Sequence, residues 1–161
     1  MMKRLINAFL ILFLLSCSSD AINWTTPNSL DDDFMNQINK HRASVDLPEL
    51  EFNPIFFEQA KRFAAQIADN PHMREQLTRE EEQNGNYSKA IIAQTGANSV
   101  SGCTGFSAAI NLDPTTGVVE AMIRNSCKNV IESRNANTIG GAVFQNSNTG
   151  DYFYVTFIGR I

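Results

Sequence analysis

Cysteine and histidine are the residue types of this chain with the widest chemistry. The 161 residues include three cysteines and two histidines, which are Cys17, Cys103, Cys127, His41 and His72. A thiolate beside an imidazole base forms a nucleophile, and Cys127 with His72 could be written as such a pair. Because no local motif brings these two residues together, we expect a protein that is not an enzyme.

The compartment decides what the cysteines do, and the N-terminus predicts it. Lys3 and Arg4 precede an uncharged, mostly apolar run from Leu5 to Leu15. This run is too short to span a bilayer, which takes about 20 residues, and it has the length of the apolar region of a secretory signal. We therefore predict a signal peptide at residues 1–21, no transmembrane span and a secreted mature protein.

Two ways of processing this signal stay open. Ser19-Asp20-Ala21 places small residues at the cleavage positions of ordinary signal peptidase. Leu14-Leu15-Ser16-Cys17 looks like a bacterial lipobox, which would end the signal at Cys17 and give a lipid-anchored lipoprotein. The glycosylation sequons at Asn23 and Asn86 favour the first route, because they suit eukaryotic secretion.

Either route removes Cys17 from the folded domain and leaves Cys103 with Cys127 in an oxidising compartment. An even number of cysteines in that setting predicts a disulfide. Such a bond would close a loop of about 25 residues and stabilise the fold by roughly 3 kcal/mol in the chain-entropy model. A bonded sulfur is also no longer a thiolate.

Charge and length narrow the class of protein further. Removing residues 1–21 takes away Lys3, Arg4 and Asp20, which leaves 11 basic and 16 acidic residues and a net charge of −5. Without a basic run, this charge argues against nucleic acid or an anionic membrane surface as the main partner. The remaining length fits one domain.

We place that domain at residues 30–161, after a polar linker at 22–29. Ser29 or Asp31 is the predicted cap of a first helix, and Asn53-Pro54 opens a second helix. The second helix has apolar residues every three or four positions, which is typical of a helix that buries a broad face.

The middle of the chain has weaker signals. Arg74 to Gln83 is charged and predicts a solvated helix or loop, and Lys89 to Thr95 could be a strand. Gly96 to Thr116 is rich in glycine, serine, threonine and asparagine, which predicts a long loop. Within it, Phe106 and Ile110 could line a cleft for an apolar ligand or a partner, the alternative being an ordinary surface loop.

The last third of the chain predicts a helix and a hairpin. Thr115 or Thr116 can cap a helix that continues to about Ile131. Thr138 to Gln145 and Tyr152 to Ile158 are rich in aromatic and β-branched residues and flank a turn sequence. Helices first, with a sheet closed by a C-terminal β-hairpin, predict an α+β layered domain.

Three segments carry a resemblance to a known family. They are Ile38-Asn39-Lys40-His41-Arg42 with Leu47-Pro48-Glu49-Leu50, then Asn53 to Ala68, then Val118 to Met122 with Thr138 to Ala142 and Tyr152 to Phe157. In this order they resemble the CAP superfamily, also called SCP-like, which comprises cysteine-rich secretory proteins, antigen 5 and plant pathogenesis-related proteins. The resemblance covers about Phe34 to Phe157 and implies an α-β-α sandwich.

The resemblance gives a structural role to the polar cluster of the first helix. It implies that Asn39 and Arg42 fasten this helix to the loop that follows. His41 is expected on the solvated side.

The family's typical site, two histidines and two acidic residues that can hold a divalent metal, looks degenerate in this chain. The resemblance places Cys127 at the late histidine, Arg124 and Gln94 at the two acidic positions, and His72 at the first histidine. Glutamine is a poor metal ligand and a guanidinium repels a cation. We therefore expect no metal and no other cofactor.

These observations lead to a secreted CAP-like domain that acts by binding, without catalysis. The resemblance implies a sterol, a fatty acid or an extracellular protein as its partner. A metal-dependent hydrolase and a purely structural extracellular scaffold are the alternatives.

Overall fold

The computed structural model describes residues 22–109 and 114–161. Its helices are α1 (Ser29–Ser44), α2 (Pro54–Asp69), α3 (Arg74–Asn84), α4 (Asn86–Thr95), α5 (Pro114–Met122) and α6 (Lys128–Ile131), with a 3₁₀ turn at Pro71–Met73 and a π-helical segment at Ile123–Cys127. Its strands are β1 (Glu51–Phe52), β2 (Ser99–Ser107), β3 (Thr138–Gln145) and β4 (Tyr152–Arg160). The predicted signal peptide, Cys17 and Ile110 lie outside the described residues.

The two long N-terminal helices begin at side-chain caps. Asn53 accepts hydrogen bonds from the amides of Ile55 and Phe56 at the start of α2, as the sequence predicted. The cap of α1 is Asn28, so the prediction of Ser29 or Asp31 is wrong. Its side chain accepts from the amide of Asp31, whose carboxylate accepts from the amide of Asn28 in return.

The four strands form one sheet in the order β1-β3-β4-β2. β3 and β4 pair antiparallel as the predicted C-terminal hairpin, β2 pairs antiparallel with β4, and the short β1 pairs parallel with β3. β2 is therefore one edge of the sheet.

Helices cover both faces of this sheet. One apolar core joins α1 and α5 to residues such as Ile139 and Tyr154, and the other joins α2, Leu77 of α3 and Ile91 of α4 to residues such as Phe153 and Phe157. Alternate residues of β4 thus point into different cores. The α-β-α sandwich is confirmed.

A buried ion pair ties α1, α2 and the sheet together. Lys61 Nζ lies 2.9 Å from Asp31 Oδ2, and both side chains are almost fully buried. The same Nζ donates to the carbonyl of Val143, whose amide donates to Asp31. Both charges are fully hydrogen-bonded, which a buried pair requires.

The prediction of a strand at Lys89–Thr95 is wrong, because this segment belongs to helix α4. The cap of α4 comes from the preceding helix: the carboxylate of Glu81 accepts hydrogen bonds from the amides of Tyr87 and Ser88. Gly96, with φ of 70°, ends the helix in the left-handed conformation. Considered alone, the β-branched pair Ile91-Ile92 favours a strand.

The prediction of a long loop at Gly96–Thr116 is also wrong over Ser99–Ser107, which form strand β2. Its glycines are required by packing. A Cβ at Gly102 would lie 2.7 Å from Phe157, and one at Gly105 would lie 2.7 Å from Val118. These distances are shorter than carbon atoms normally approach, so a larger residue at either position would force the neighbouring side chain to move.

The predicted third helix is confirmed over most of its length, but it is interrupted. α5 starts at Pro114 and α6 ends at Ile131, with the π-helical segment between them. Within that segment Asn125 has φ of −93° and ψ of −111°, outside the helical region. π-helical segments often lie at functional sites.

Candidate functional site

The polar cluster of α1 is a structural fastening, as the resemblance implied. Asn39 exchanges two hydrogen bonds with the backbone of Leu50, at 3.0 and 3.1 Å. The fully buried guanidinium of Arg42 donates to the carbonyls of Pro48, Ile131 and Ser133. It therefore joins α1 to the end of α6 as well as to the following loop.

His41 is less exposed than the sequence predicted. Its Nε2 lies 2.9 Å from Oε1 of Glu132, and each of these side chains is 23% exposed. The pair lies beside the Arg42 fastening and adds to the junction between α1 and α6.

The predicted disulfide is confirmed between Cys103 and Cys127, with Cα atoms 5.8 Å apart. It joins the edge strand β2 to the end of the π-helical segment, and both cysteines are buried. Cys127 is therefore not available as a nucleophile beside His72.

The four residues of the predicted degenerate cleft occupy different surroundings. His72 is exposed in the 3₁₀ turn and lines a shallow hollow with Arg74, Phe106 and other residues. Gln94 is exposed on α4, and Arg124 is exposed in the π-helical segment. Of the four, only Cys127 lines the larger cleft described next.

A cleft runs along the outer edge of β2, on the side away from β4. Its first part has a volume of about 510 Å³ and is floored by Thr104, Gly105 and Phe106. One wall is α3, which contributes Arg74, Glu75, Thr78, Arg79 and Glu82. The other wall is α5 with the π-helical segment, which contributes Val118, Ala121, Met122, Asn125, Ser126 and Cys127.

The second part of the cleft continues along β2 towards Val100 and has a volume of about 420 Å³. The two parts share four residues, Thr78, Glu82, Thr104 and Ser126. The second part adds further polar and apolar residues, which are Phe63, Glu81, Gly85, Ser88, Val100, Ser101, Gly102, Cys103 and Val130. We call the two parts together the edge cleft.

The electrostatics of the edge cleft differ between its two parts. The first part contains Arg74 and Arg79 with two glutamates, whereas the second contains Glu81 and Glu82 and no basic residue. Close by, Tyr87 stacks on Phe63, with ring centroids 4.9 Å apart. Burial raises the pKa of the Tyr87 phenol, and the charge of Glu81 raises this pKa further, against the opposing effect of Arg62.

The described residues do not fit a divalent metal. No group of three or more histidine, cysteine, aspartate or glutamate side chains comes together within residues 22–109 and 114–161. Cys103 and Cys127, the two cysteines that line the edge cleft, have their sulfurs in the disulfide. Three or more suitable ligands are the normal requirement for such an ion.

Phe106 lies on β2 rather than in a loop, and its side chain is 42% exposed. Its ring contacts Phe153, with centroids 5.4 Å apart, and the guanidinium carbon of Arg74 lies 5.1 Å from its centroid. The structure thus places Phe106 at one end of the edge cleft.

Both sequon asparagines are exposed. The side chain of Asn23 accepts hydrogen bonds from the amides of Thr25 and Thr26, and Asn86 is the first residue of α4. No helix in the described part of the chain is long and apolar enough to cross a membrane.

Sequence reasoning missed the α3 wall of the edge cleft, including Thr78, Arg79 and Glu82. The charged segment Arg74–Gln83 gave no sign of facing a cleft, because its charges fit a solvated helix equally well. The side chains of Thr78 and Thr104 meet at 3.4 Å, which brings α3 to the edge strand.

Comparison with known proteins identifies the fold. No family model and no curated protein matches the chain. Among solved structures, an outer surface protein from Borrelia burgdorferi matches with a TM-score of 0.59 and 18% identity, over 84% of this chain and 97% of that one.

Two further solved structures also match this chain. A cysteine-rich secretory protein from Staphylococcus aureus matches with a TM-score of 0.53 and 12% identity, over 84% of this chain and 40% of that one. Manganese-bound Ac-ASP-7 matches with a TM-score of 0.51 and 10% identity, over 84% of this chain and 70% of that one. The chain therefore has the CAP fold, as the resemblance predicted.

Proposed function

We propose that this protein is an exported, non-catalytic binding protein that receives part of another extracellular protein in its edge cleft. The observation that carries the proposal is the cleft itself, an open groove about 510 Å³ in its larger part, with a charged wall and a mostly apolar wall. Mixed walls of this kind are typical of protein contacts, where apolar area is rimmed by polar groups.

An apolar small molecule fits this cleft less well. Pockets for such ligands enclose most of the ligand surface and are lined predominantly by apolar side chains. Here Arg74, Arg79 and the glutamates of α3 face the space in which a sterol would lie. Of the predicted partners, the geometry favours a protein over a sterol or a fatty acid.

The chemistry available in the cleft supports a non-catalytic role. Thr78, Thr104 and Ser126 supply hydroxyl groups to both of its parts, but neither histidine lines either part. A hydroxyl group needs an adjacent base to act as a nucleophile. In the second part, Ser88 Oγ donates to Glu81 Oε1 at 2.9 Å, but this carboxylate also accepts from the amides of Tyr87 and Ser88 and is held as the cap of α4. Glu82, which lines both parts, has no hydrogen bond to a hydroxyl group among those described.

Export is supported by the signal-like residues 1–21 and by the fold. Two of the matched structures are an outer surface protein and a secretory protein. Cleavage near Ala21 would release the domain, whereas lipidation at Cys17 would hold it at a membrane surface. Both routes leave the edge cleft outside the cell.

The proposal is tested with a pair of matched substitutions. Ala121→Trp places a large side chain in the space of the edge cleft, and Ala93→Trp makes the same change on the exposed surface of α4. The labelled exported protein should bind saturably to the cells that produce it, and protease treatment of those cells should abolish binding. Ala121→Trp should weaken binding at least about tenfold, as expected for a blocked interface centre, whereas Ala93→Trp should not.

A second assay covers the competing ligands. Titration with cholesterol and with palmitate should give no saturable binding. If either lipid binds saturably and Ala121→Trp abolishes that binding, the ligand of the edge cleft is a lipid and the proposed protein partner is wrong. Saturable cell binding that is equal in both variants would leave the edge cleft without its proposed role.

A further inference from the structure

We propose that the edge cleft binds an extended polypeptide segment, which adds to β2 as a fifth strand of the sheet. This inference rests on the proposed function and names the form of the partner. Strand addition of this kind takes its affinity from main-chain hydrogen bonds and its specificity from pockets for alternate side chains.

The first support is the sequence of β2, which has none of the residues that usually protect an edge strand. Its nine residues pair one to one with β4 without a bulge, and none of the nine is charged or proline. Natural proteins usually protect a long edge strand with lysine, proline, a bulge or a short length. The opposite edge strand, β1, has only two residues, whereas β2 is long and has no paired strand on its outer side among the described residues.

The second support is the position of the cleft around that edge. α3 packs on one face of the sheet and α5 on the other, yet both line the same space beside Thr104. A space that contacts both layers and the edge strand must lie beyond the edge. The helices therefore form two walls, and β2 forms the floor between them.

These walls decide between a peptide and a second copy of this chain. A second folded copy has the same two walls beside its own β2, so the walls of the two copies would collide before the strands could pair. A single extended segment has no such walls and is about as thick as one strand, since neighbouring strands lie roughly 4.8 Å apart. The groove therefore fits a segment better than a folded copy.

Charge indicates which segment fits. At the Val100 end the cleft has two carboxylates, Glu81 and Glu82, and no basic side chain. At the other end, Arg74 stacks on the exposed ring of Phe106. The partner segment should be uncharged in its centre, with lysine or arginine at the Val100 end and an acidic or aromatic residue at the Phe106 end.

The test uses a library of random nine-residue peptides, selected on the full exported protein and counter-selected on the Ala121→Trp variant. Selected peptides should contain a basic residue near one end. Each is then resynthesised with single N-methyl groups, which remove one main-chain donor at a time. Methylation at every second position should weaken binding at least about tenfold, while methylation at the intervening positions should be tolerated.

Hydrogen exchange of the protein supplies an independent measurement. On adding a selected peptide, backbone amides at alternate positions of β2 should gain protection, because the others already pair with β4. Ala93→Trp should show the same pattern as the unmodified protein.

Several outcomes would overturn strand addition. These are a failure to enrich any peptide, peptides whose binding is insensitive to N-methylation, and protection of β2 by self-association without peptide, as detected by sedimentation. If cell binding still depends on Ala121 in such a case, the proposed function stands and only the strand geometry fails. If cell binding is also independent of Ala121, both proposals fail.

Discussion

Arg42 is a cation buried at the junction of three segments. Its guanidinium is fully buried, donates to three backbone carbonyls and has no carboxylate partner among the described residues. Burial lowers the pKa of Arg42 from its ordinary value, although an arginine stays charged at neutral pH. Nε and Nη1 make these three hydrogen bonds, whereas Nη2 is buried without a hydrogen-bond partner among the described residues.

Arg42→Lys should therefore destabilise the fold although the charge is kept. The single ammonium group of lysine cannot reach the carbonyls of Pro48, Ile131 and Ser133 together. We therefore expect a loss of about 2–4 kcal/mol in the free energy of unfolding. Urea denaturation measures this loss. Arg62→Lys is the control, because Arg62 is exposed and contacts Glu58 one turn away and the ring of Trp24, each contact being worth about 1 kcal/mol or less. Equal effects of the two substitutions would contradict the fastening role.

At the scale of elements, the errors of the sequence analysis have a common physical cause. α2 and the C-terminal hairpin carry their signals locally, as a cap, a periodicity and a turn, and they were predicted correctly. α4 depends on the preceding helix, because Glu81 of α3 caps it. β2 depends on contacts distant in sequence, because its glycines lie close against Val118 and Phe157. No local pattern contains that information.

The packing reason for the glycines in β2 can be tested by two identical substitutions. Gly105→Ala places a Cβ 2.7 Å from Val118 and 2.8 Å from Met122, and we expect it to lower the free energy of unfolding by about 1–3 kcal/mol. Gly117→Ala lies on α5 with open space around its Cβ and should stabilise by about 0.5–1 kcal/mol. Thermal and urea denaturation of both variants give the comparison. A neutral Gly105→Ala would mean that the glycine is not required by packing.

For the whole molecule, the disulfide links the edge strand to the interrupted helix. Changing both Cys103 and Cys127 to serine should lower the free energy of unfolding by about 3 kcal/mol. The reduced unmodified protein should lose a similar amount, which separates the effect of the bond from that of the serines. A loss below about 1 kcal/mol would show that the loop closure contributes little.

Intact mass of the exported protein checks the same bond without a substitution. The mass should be two hydrogens below that of the dithiol form. It also reports signal cleavage, lipid on Cys17 and glycans on Asn23 or Asn86.

The candidate site was only partly predictable. The disulfide followed from the compartment and the even number of cysteines. Phe106 was expected in a loop that could line a cleft, and it lies instead on strand β2 at one end of the edge cleft. The α3 wall was not predictable, because the meeting of Thr78 with Thr104 depends on how two layers close over a sheet edge. His72, Gln94 and Arg124 were placed in the site by resemblance, and none of the three lines the edge cleft.

The central claim is that this CAP-fold protein acts by contacts along the edge of β2, and site-specific photo-crosslinking tests it most directly. A photo-reactive amino acid is placed at Arg79 in the edge cleft or at the exposed Lys40 on α1, in the layer on the other face of the sheet. After irradiation on the producing cells, protein adducts should form from position 79 and be lost when Ala121→Trp is added. Adducts of equal yield from both positions, or from position 40 alone, would contradict the account.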